Sequence, residues 1–222
     1  MTSLKSNFSE INVRLSEVAA VRTGYTFREK LHEDREGDLA VIQMKDIDDS
    51  NLLHFEALVR VRMPNLSDRH VVRKGDVLFR SRGSSYGTAV VTEDLGRAVL
   101  SAPMLIIRPN TDVVDPGYLQ WFINHPETQA ELTNRAAGSA VKMISKAVLE
   151  HFPISIPELS TQRKIAELGR LVQEEATLSG RLLEKRRQLM ERILMSHVEG
   201  HTTNDGRETD MRIRRTKELG QG

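Results

Sequence analysis

The densest grouping of chemically capable side chains in this 222-residue chain is Arg80-Ser-Arg-Gly-Ser-Ser-Tyr-Gly87, directly after an apolar run. A guanidinium is planar and forks onto a phosphate or the two acceptors of a guanine edge, hydroxyls bond phosphate oxygens, and a phenol stacks or donates. Arg80, Arg82, Ser84, Ser85 and Tyr86 are therefore candidate DNA contacts, although the same composition suits a polar surface loop framed by glycines. A nucleotide-phosphate cradle does not fit, because the segment lacks the Lys-Ser/Thr ending and the strand-to-helix setting of that motif. A second segment, Gly138-Ser-Ala-Val-Lys-Met-Ile-Ser145, offers Ser139 and Lys142 to a phosphate backbone while Met143 and Ile144 pack inward, or is a plain connection. Lys45, Arg69, His70 and Arg135 join the candidates on residue type alone.

No catalytic constellation assembles from the same inventory. The seven histidines (His32, His54, His70, His125, His151, His197, His201) show no His-Glu-x-x-His spacing, and no Gly-x-Ser-x-Gly elbow is present. Asp46, Asp48 and Asp49 lack the remaining ligands of a calcium loop and read as a solvated turn. With no cysteine, thiolate zinc sites and a thiol nucleophile are excluded. No metal or cofactor is expected, and Trp121, on an apolar helical face, reads as core.

Formal net charge is only +1, but it is distributed unevenly. Arg28 to Glu56 holds nine acids against four bases, whereas Arg60 to Arg108 holds nine bases, eight of them arginine, against four acids. The arginine-rich stretch suits DNA, or a surface laced with ion pairs.

Elements that could position these residues follow from the apolar patterning. Short runs at Val13 to Val21, Leu39 to Met44, Leu53 to Val61, Val77 to Phe79, Thr88 to Val91 and Met104 to Ile107 read as strands of a mixed sheet, with Gly37-Asp38, Lys74-Gly75-Asp76 and Asp94-Leu95-Gly96 as turns. Asp115-Pro116-Gly117 opens a helix that His125-Pro126 interrupts, Glu127 to Ala136 continues as a second, and Gly138 ends it. After Phe152-Pro-Ile-Ser-Ile-Pro157, Ser160 or Thr161 caps a long helix whose apolar positions Ile165, Leu168, Leu171, Val172, Leu178, Leu182, Leu189 and Ile193 recur at threes and fours to about His197. At 1.5 Å per residue that is a rod of roughly 50 Å, more than one small domain covers, so Ile165, Leu168, Val172, Leu178, Leu182, Leu189 and Ile193 are predicted to meet a partner in a coiled coil or bundle. The expected organisation is α+β: a mixed α/β domain over 1–158, the partner-binding helix over 159–198, and a polar tail over 199–222, mobile or ordered only on a partner. The opening MTSLKSNFSE lacks an apolar signal core and no run is long enough to cross a bilayer, so a cytoplasmic protein with no membrane partner is expected.

Several segments, in this order, resemble the specificity subunits of type I restriction-modification systems. Val13-Arg-Leu-Ser-Glu-Val18 with Arg22-Thr-Gly-Tyr-Thr-Phe27 resembles the entry into a target-recognition domain, and Leu39-Ala-Val-Ile-Gln-Met-Lys-Asp-Ile47 its first central strand and turn. Val72-Arg-Lys-Gly-Asp-Val-Leu-Phe79 followed by Arg80-Ser-Arg-Gly83 is similar to the family's Gly-Asp strand element and the segment after it. Tyr118-Leu-Gln-Trp-Phe122, Gly138-Ser139, Ile144-Ser145 and Phe152-Pro-Ile-Ser-Ile-Pro157, with Gln162 and Ile165, resemble the end of the domain and the start of its long helix. The resemblance implies a non-catalytic, sequence-specific subunit that binds double-stranded DNA and directs a methyltransferase subunit and a motor-nuclease subunit to a bipartite site. A typical member has two recognition domains and two long helices. The single domain and single helix here imply a half-length subunit, paired through the helix with a copy of itself or with a different half-subunit. A recognition or adaptor module of another phage-defence methyltransferase complex is the alternative.

Overall fold

The computed structural model describes residues 11–29, 31–63, 66–83, 85–137 and 142–218, the stretch 199–218 as backbone only. The chain divides into two units, the first ending at Val172 and the second beginning at Gln173.

The run from Val13 to Val21 is not one strand. β1 (Ile11–Arg14) gives way to a single helical turn, α1 (Leu15–Val18), before β2 (Ala19–Thr23) begins. Glu17 makes the turn by accepting the Arg14 N–H at 2.9 Å, and Leu15 and Val18 both bury their side chains. Further along come β3 (Leu39–Ile42), β4 (Val59–Val61), β5 (Val77–Phe79), β6 (Thr88–Val90), β7 (Ala98–Leu100), β8 (Leu105–Pro109) and β9 (Pro153–Ile156). An antiparallel sheet runs β2-β8-β5-β6, and a mixed one runs β4-β3-β7, its β3 and β7 parallel. β1 pairs with β9, Ile11 opposite Ile156 and Arg14 opposite Pro153.

Successive side chains on a strand point to opposite faces, and both faces of the antiparallel sheet are covered. Val77, Phe79, Leu105 and Ile107 pack toward the helices, whereas Leu78 and Ile106 join Ile42 and Leu100 in a second apolar cluster. An uninterrupted Val-Leu-Phe is the sequence signature of such a doubly buried strand.

Helix α2 (Pro116–Asn124) is capped by Asp115, whose carboxylate accepts the Tyr118 N–H at 3.0 Å, and the extended His125 ahead of Pro126 separates it from α3 (Pro126–Ala137). The predicted stop at Gly138 lies outside the described residues. A short helix not anticipated from the sequence, α4 (Lys146–Glu150), starts where the Ser145 hydroxyl accepts the Val148 N–H at 3.3 Å.

The last helix, α5, spans Leu159–Glu218. Its backbone continues well past His197, where the apolar spacing stops, and so through most of the predicted tail. That segment carries no proline and includes several Glu and Arg residues, good helix formers, while its few apolar residues leave no periodicity to mark the helix. Within the first unit its opening turns are fastened to the domain. Fully buried Gln162 accepts the Asp115 N–H at 2.8 Å and donates to the carbonyls of Val113 at 3.0 Å and Pro157 at 2.8 Å. Glycine makes room for the contact with α2, since a Cβ on Gly169 would stand 2.6 Å from the Trp121 ring. Trp121 is thus packing, as expected. Among the described residues, no helix is long and apolar enough to cross a membrane.

Candidate nucleic-acid interface

Much of the arginine-rich stretch is structural. Arg108 donates from two guanidinium nitrogens to the two oxygens of Asp76, each at 2.7 Å, and to the Val71 carbonyl at 3.0 Å. Asp76 is 1% exposed and also accepts the Arg73 N–H at 2.7 Å, closing the turn in which Gly75 takes φ +87°. The hydrogen bonds to Asp76 raise the Arg108 pKa further, against the opposing effect of burial. The Asp of the Lys-Gly-Asp element therefore anchors the turn before β5 to β8, while Lys74 is exposed. Arg62 pairs with Asp34 and Arg97 with Asp38, so the acidic stretch neutralises part of the basic one. Asp38 is held below the usual carboxylate range by the Met63 N–H and, with burial opposing, by Arg97.

The 80–87 segment is the tip of the β5–β6 hairpin, closed by the Arg80 N–H donating to the Gly87 carbonyl at 2.9 Å. Arg80 is half-buried and turned inward: it donates to Asn51 Oδ1 at 2.6 Å, to Ser85 Oγ at 3.3 Å and to the Asp48 carbonyl at 3.4 Å. The approach needs glycine at 87, where a Cβ would lie 2.0 Å from Asn51 Oδ1 and 2.7 Å from the Arg80 guanidinium. Tyr86 is not a surface residue. It is 5% exposed with its ring stacked on Phe79 at 6.5 Å, so the apolar ring follows the core and leaves the loop without an aromatic contact. Ser85 is half-buried and engaged by Arg80, and Ser84 lies outside the described residues.

Arg82 is exposed. Its backbone bridges antiparallel to Met143, and the Ile144 N–H donates to the Ser81 carbonyl at 2.8 Å. The two loops picked out in the sequence therefore meet, more than fifty residues apart in the chain. Ile144 is buried as predicted, Met143 is half-buried, and Lys142 is exposed beside Arg82's partner residue. Neither Arg82 nor Lys142 has an ion-pair partner among the described residues, and the Arg82–Met143 bridge brings the two exposed residues to neighbouring positions of the backbone. Ser139 lies outside the described residues.

The remaining candidates are scattered. Lys45 is exposed in the helical turn Met44–Asp46. Arg135 is exposed but committed, bonded to Glu131 at 2.6 Å with its guanidinium 5.0 Å over the Phe152 ring. Arg69 donates to His70 Nε2 at 3.1 Å, and its carbonyl accepts from Arg22 at 3.1 Å. Burial, then the charges of Arg69 and Arg22, depress the His70 pKa and favour its neutral ring. The acidic 46–54 turn is an internal hydrogen-bond knot. Asp46 caps it by accepting the Gln43 N–H at 2.7 Å, and Asp48 accepts the N–H groups of Ser50 and Leu52 and meets His54 at 2.8 Å. Burial opposes ionisation of Asp48, but these bonds outweigh it and lower the pKa. No cluster of three or more potential metal ligands occurs among the described residues.

Of the predicted partner-facing positions on α5, Ile165 instead packs on the domain's own core, because α5 begins against α2. Leu168 is 63% and Val172 65% exposed in the first unit. In the second, Leu178, Leu182, Leu189 and Ile193 are also exposed, as are Leu183, Met190 and Leu194. Glu184, Arg187 and Glu191 form ion pairs along this helix.

These elements together have the architecture of type I restriction-modification specificity subunits. The chain superposes with a TM-score of 0.65 at 19% identity on a chain from a study of complex assembly and conformational transition in a type I system, covering 86% of this chain and 45% of that one. The HsdS subunit from Thermoanaerobacter tengcongensis gives 0.57 at 21% identity, over 81% of this chain and 40% of its own. The S subunit from M. genitalium gives 0.53 at 13% identity, over 84% and 45%. The profile of the Type I restriction modification DNA specificity domain matches residues 9–174, and the chain belongs to that family, whose members are recognition subunits rather than catalysts. Its sequence is also similar to the type I restriction enzyme HindI specificity subunit of Haemophilus influenzae, 21% identical over 162 residues, 72% of this chain and 35% of that relative. The chain thus spans about a third of the curated relative's length and under half of the solved structures.

Proposed function

We propose that this chain is a sequence-specific DNA-binding subunit that directs methyltransferase and motor-nuclease subunits of a type I restriction-modification system, in the cytoplasm, to a bipartite site. Each copy reads one half-site, and two copies pair through α5. The observation that carries the DNA contact is the ridge formed where the 80–87 hairpin tip bridges to the 142–145 segment, with Arg82 and Lys142 exposed and without an ion-pair partner among the described residues. Cations of this kind supply the salt-dependent attraction to phosphates, and a guanidinium beside them can also discriminate guanine by its two acceptors. Lys45 and Arg69 are secondary phosphate contacts, with Arg80, Ser85 and Arg135 in supporting roles. Pairing is supported by the exposed apolar positions of α5, an arrangement that calls for a partner. Two identical domains related by a two-fold axis would read a palindromic split site.

The test is binding of the full chain, assembled with a methyltransferase subunit, to duplexes of varied sequence over a range of salt. Sequence preference and an affinity that falls with salt are expected. Absence of any preference at every ionic strength refutes the proposal.

A further inference from the structure

Strand β6 lies at the end of its sheet, so one side of its backbone has no neighbouring strand. Such an edge leaves N–H and C=O groups that must find other partners. Here the partners are side-chain amides on the helices. Gln129 Oε1 accepts the Tyr86 N–H at 3.0 Å, while its Nε2 donates to the Tyr86 carbonyl at 3.1 Å and to the Ile123 carbonyl at 2.7 Å. Two residues further on, Asn124 Oδ1 accepts the Thr88 N–H at 2.8 Å and its Nδ2 donates to the Thr88 carbonyl at 2.9 Å; the Thr88 hydroxyl donates to the same Oδ1 at 3.1 Å. Gln120 Nε2 donates to the Thr88 carbonyl at 3.2 Å and to the Asn51 carbonyl at 3.3 Å.

Alternate residues of a strand direct their N–H and C=O groups to the same side, and a primary amide sets an acceptor oxygen beside a nitrogen with two N–H donors in one plane, so it can pair with a peptide edge and still donate once more. The three side chains therefore replace the missing strand with fixed groups. They also reach both ends of the Arg80 clamp, since Tyr86 follows Ser85 and Asn51 accepts from Arg80. The hairpin tip that presents Arg82 is held from the helices as well as from β5.

We propose that Gln120, Asn124 and Gln129 are positioning residues for sequence discrimination, fixing the hairpin tip so that Arg82 meets base edges in one register. The idea rests on the ridge being the DNA contact. Phosphate attraction tolerates a displaced side chain, whereas base readout depends on placement to within about 0.5 Å. Loosening the amide ladder should thus lower discrimination while sparing affinity for arbitrary sequence.

Asn124→Asp and Gln129→Glu keep size and the acceptor but lose the donor, setting a carboxylate against the Thr88 or Tyr86 carbonyl. The full chain is used to select from a randomised duplex library, and Kd is then compared between the enriched duplex and one with a scrambled half-site. For each variant the ratio is expected to fall about tenfold, with Kd on the scrambled duplex and its salt slope unchanged and with faster hydrogen exchange at the Tyr86 and Thr88 amides. An unchanged ratio, or equal weakening on both duplexes, overturns the proposal, the second result assigning the amides to stability alone. Gln120→Glu carries the same expectation and decides the matter should either variant fail to fold. Arg82→Ala with Lys142→Ala separates the two levels of inference. Loss of affinity there with an intact ratio in the amide variants overturns positioning and leaves the interface standing, whereas no loss removes both.

Discussion

Arg108→Met removes a guanidinium bonded to both oxygens of Asp76 at 2.7 Å and to the Val71 carbonyl at 3.0 Å, and puts an unbranched apolar chain in its place. Asp76, 1% exposed, then keeps the Arg73 N–H as a partner but has no countercharge. Breaking a buried pair by deleting one member costs about 3–5 kcal/mol, because the surviving charge is left in a medium that solvates it poorly. The Arg108 side chain retains 19% exposure, so water can enter and the lower end, about 3 kcal/mol, is expected. At roughly 2–4 °C per kcal/mol for a domain of this size, Tm should fall by about 10 °C in a calorimetric or circular-dichroism melt of the full chain. A double-mutant cycle with Asp76→Leu removes the stranded charge, and the pair of substitutions should cost less than the sum of the singles by at least about 1.5 kcal/mol. A drop below about 2 °C, or strict additivity, refutes the buried-pair reasoning. Affinity for DNA, measured well below the melt, should not change; a loss there with an unchanged Tm would return Arg108 to the interface.

Gly87→Ala places a Cβ 2.0 Å from Asn51 Oδ1, so the Arg80–Asn51 bond must open; a loss of about 1–3 kcal/mol in chemical denaturation and weaker DNA binding are expected, and wild-type values for both contradict this. Gln162→Leu strands the Asp115 N–H and two carbonyls, and should cost about 2–3 kcal/mol by the same assay. The depressed pKa of His70 means that the unfolded chain takes up its proton first, so stability should decline as pH falls from 6.5 through the folded-state value; His70→Asn should flatten that part of the pH–Tm curve. Leu182→Glu with Leu189→Glu should abolish self-association, and an unchanged sedimentation mass would exclude this face of α5 as the dimer contact.

What the sequence disclosed and what it hid follow a physical division. Local signals were readable: Asp115-Pro116 starts α2, Pro126 separates α3 from it, Gly75 sits at positive φ in its turn, and Val77-Leu78-Phe79 is buried on both faces. The β1-α1-β2 break was missed because one helical turn is too short to alter an apolar run, and β7 because Ala98–Leu100 barely forms one. Long-range pairing was not readable at all. Whether an arginine faces DNA or an aspartate depends on residues brought near by topology, as with Arg108 and Asp76 or Arg97 and Asp38, and type alone ranked Arg80 level with Arg82. Tyr86 was misjudged because its polar neighbours concealed an inward-facing ring. The amides of α2 did leave a signal: Gln120 and Asn124 stand one turn apart on a helix otherwise rich in apolar residues, a spacing that puts them on one face.

The ladder between β1 and β9 sets Ile11 directly across from Ile156, so the backbone enters and leaves the recognition fold at neighbouring points. An exchange of the intervening segment by recombination would need no new connecting peptide, provided the incoming piece brings its own pair of clasping strands. The bonds of Gln162 to Asp115 and Val113 cross that junction, so the incoming piece must also present those groups to the start of α5. A chimera joined just outside these two strands should therefore fold, whereas one with a single junction between them sets the β1 of one parent against the β9 of the other and should not.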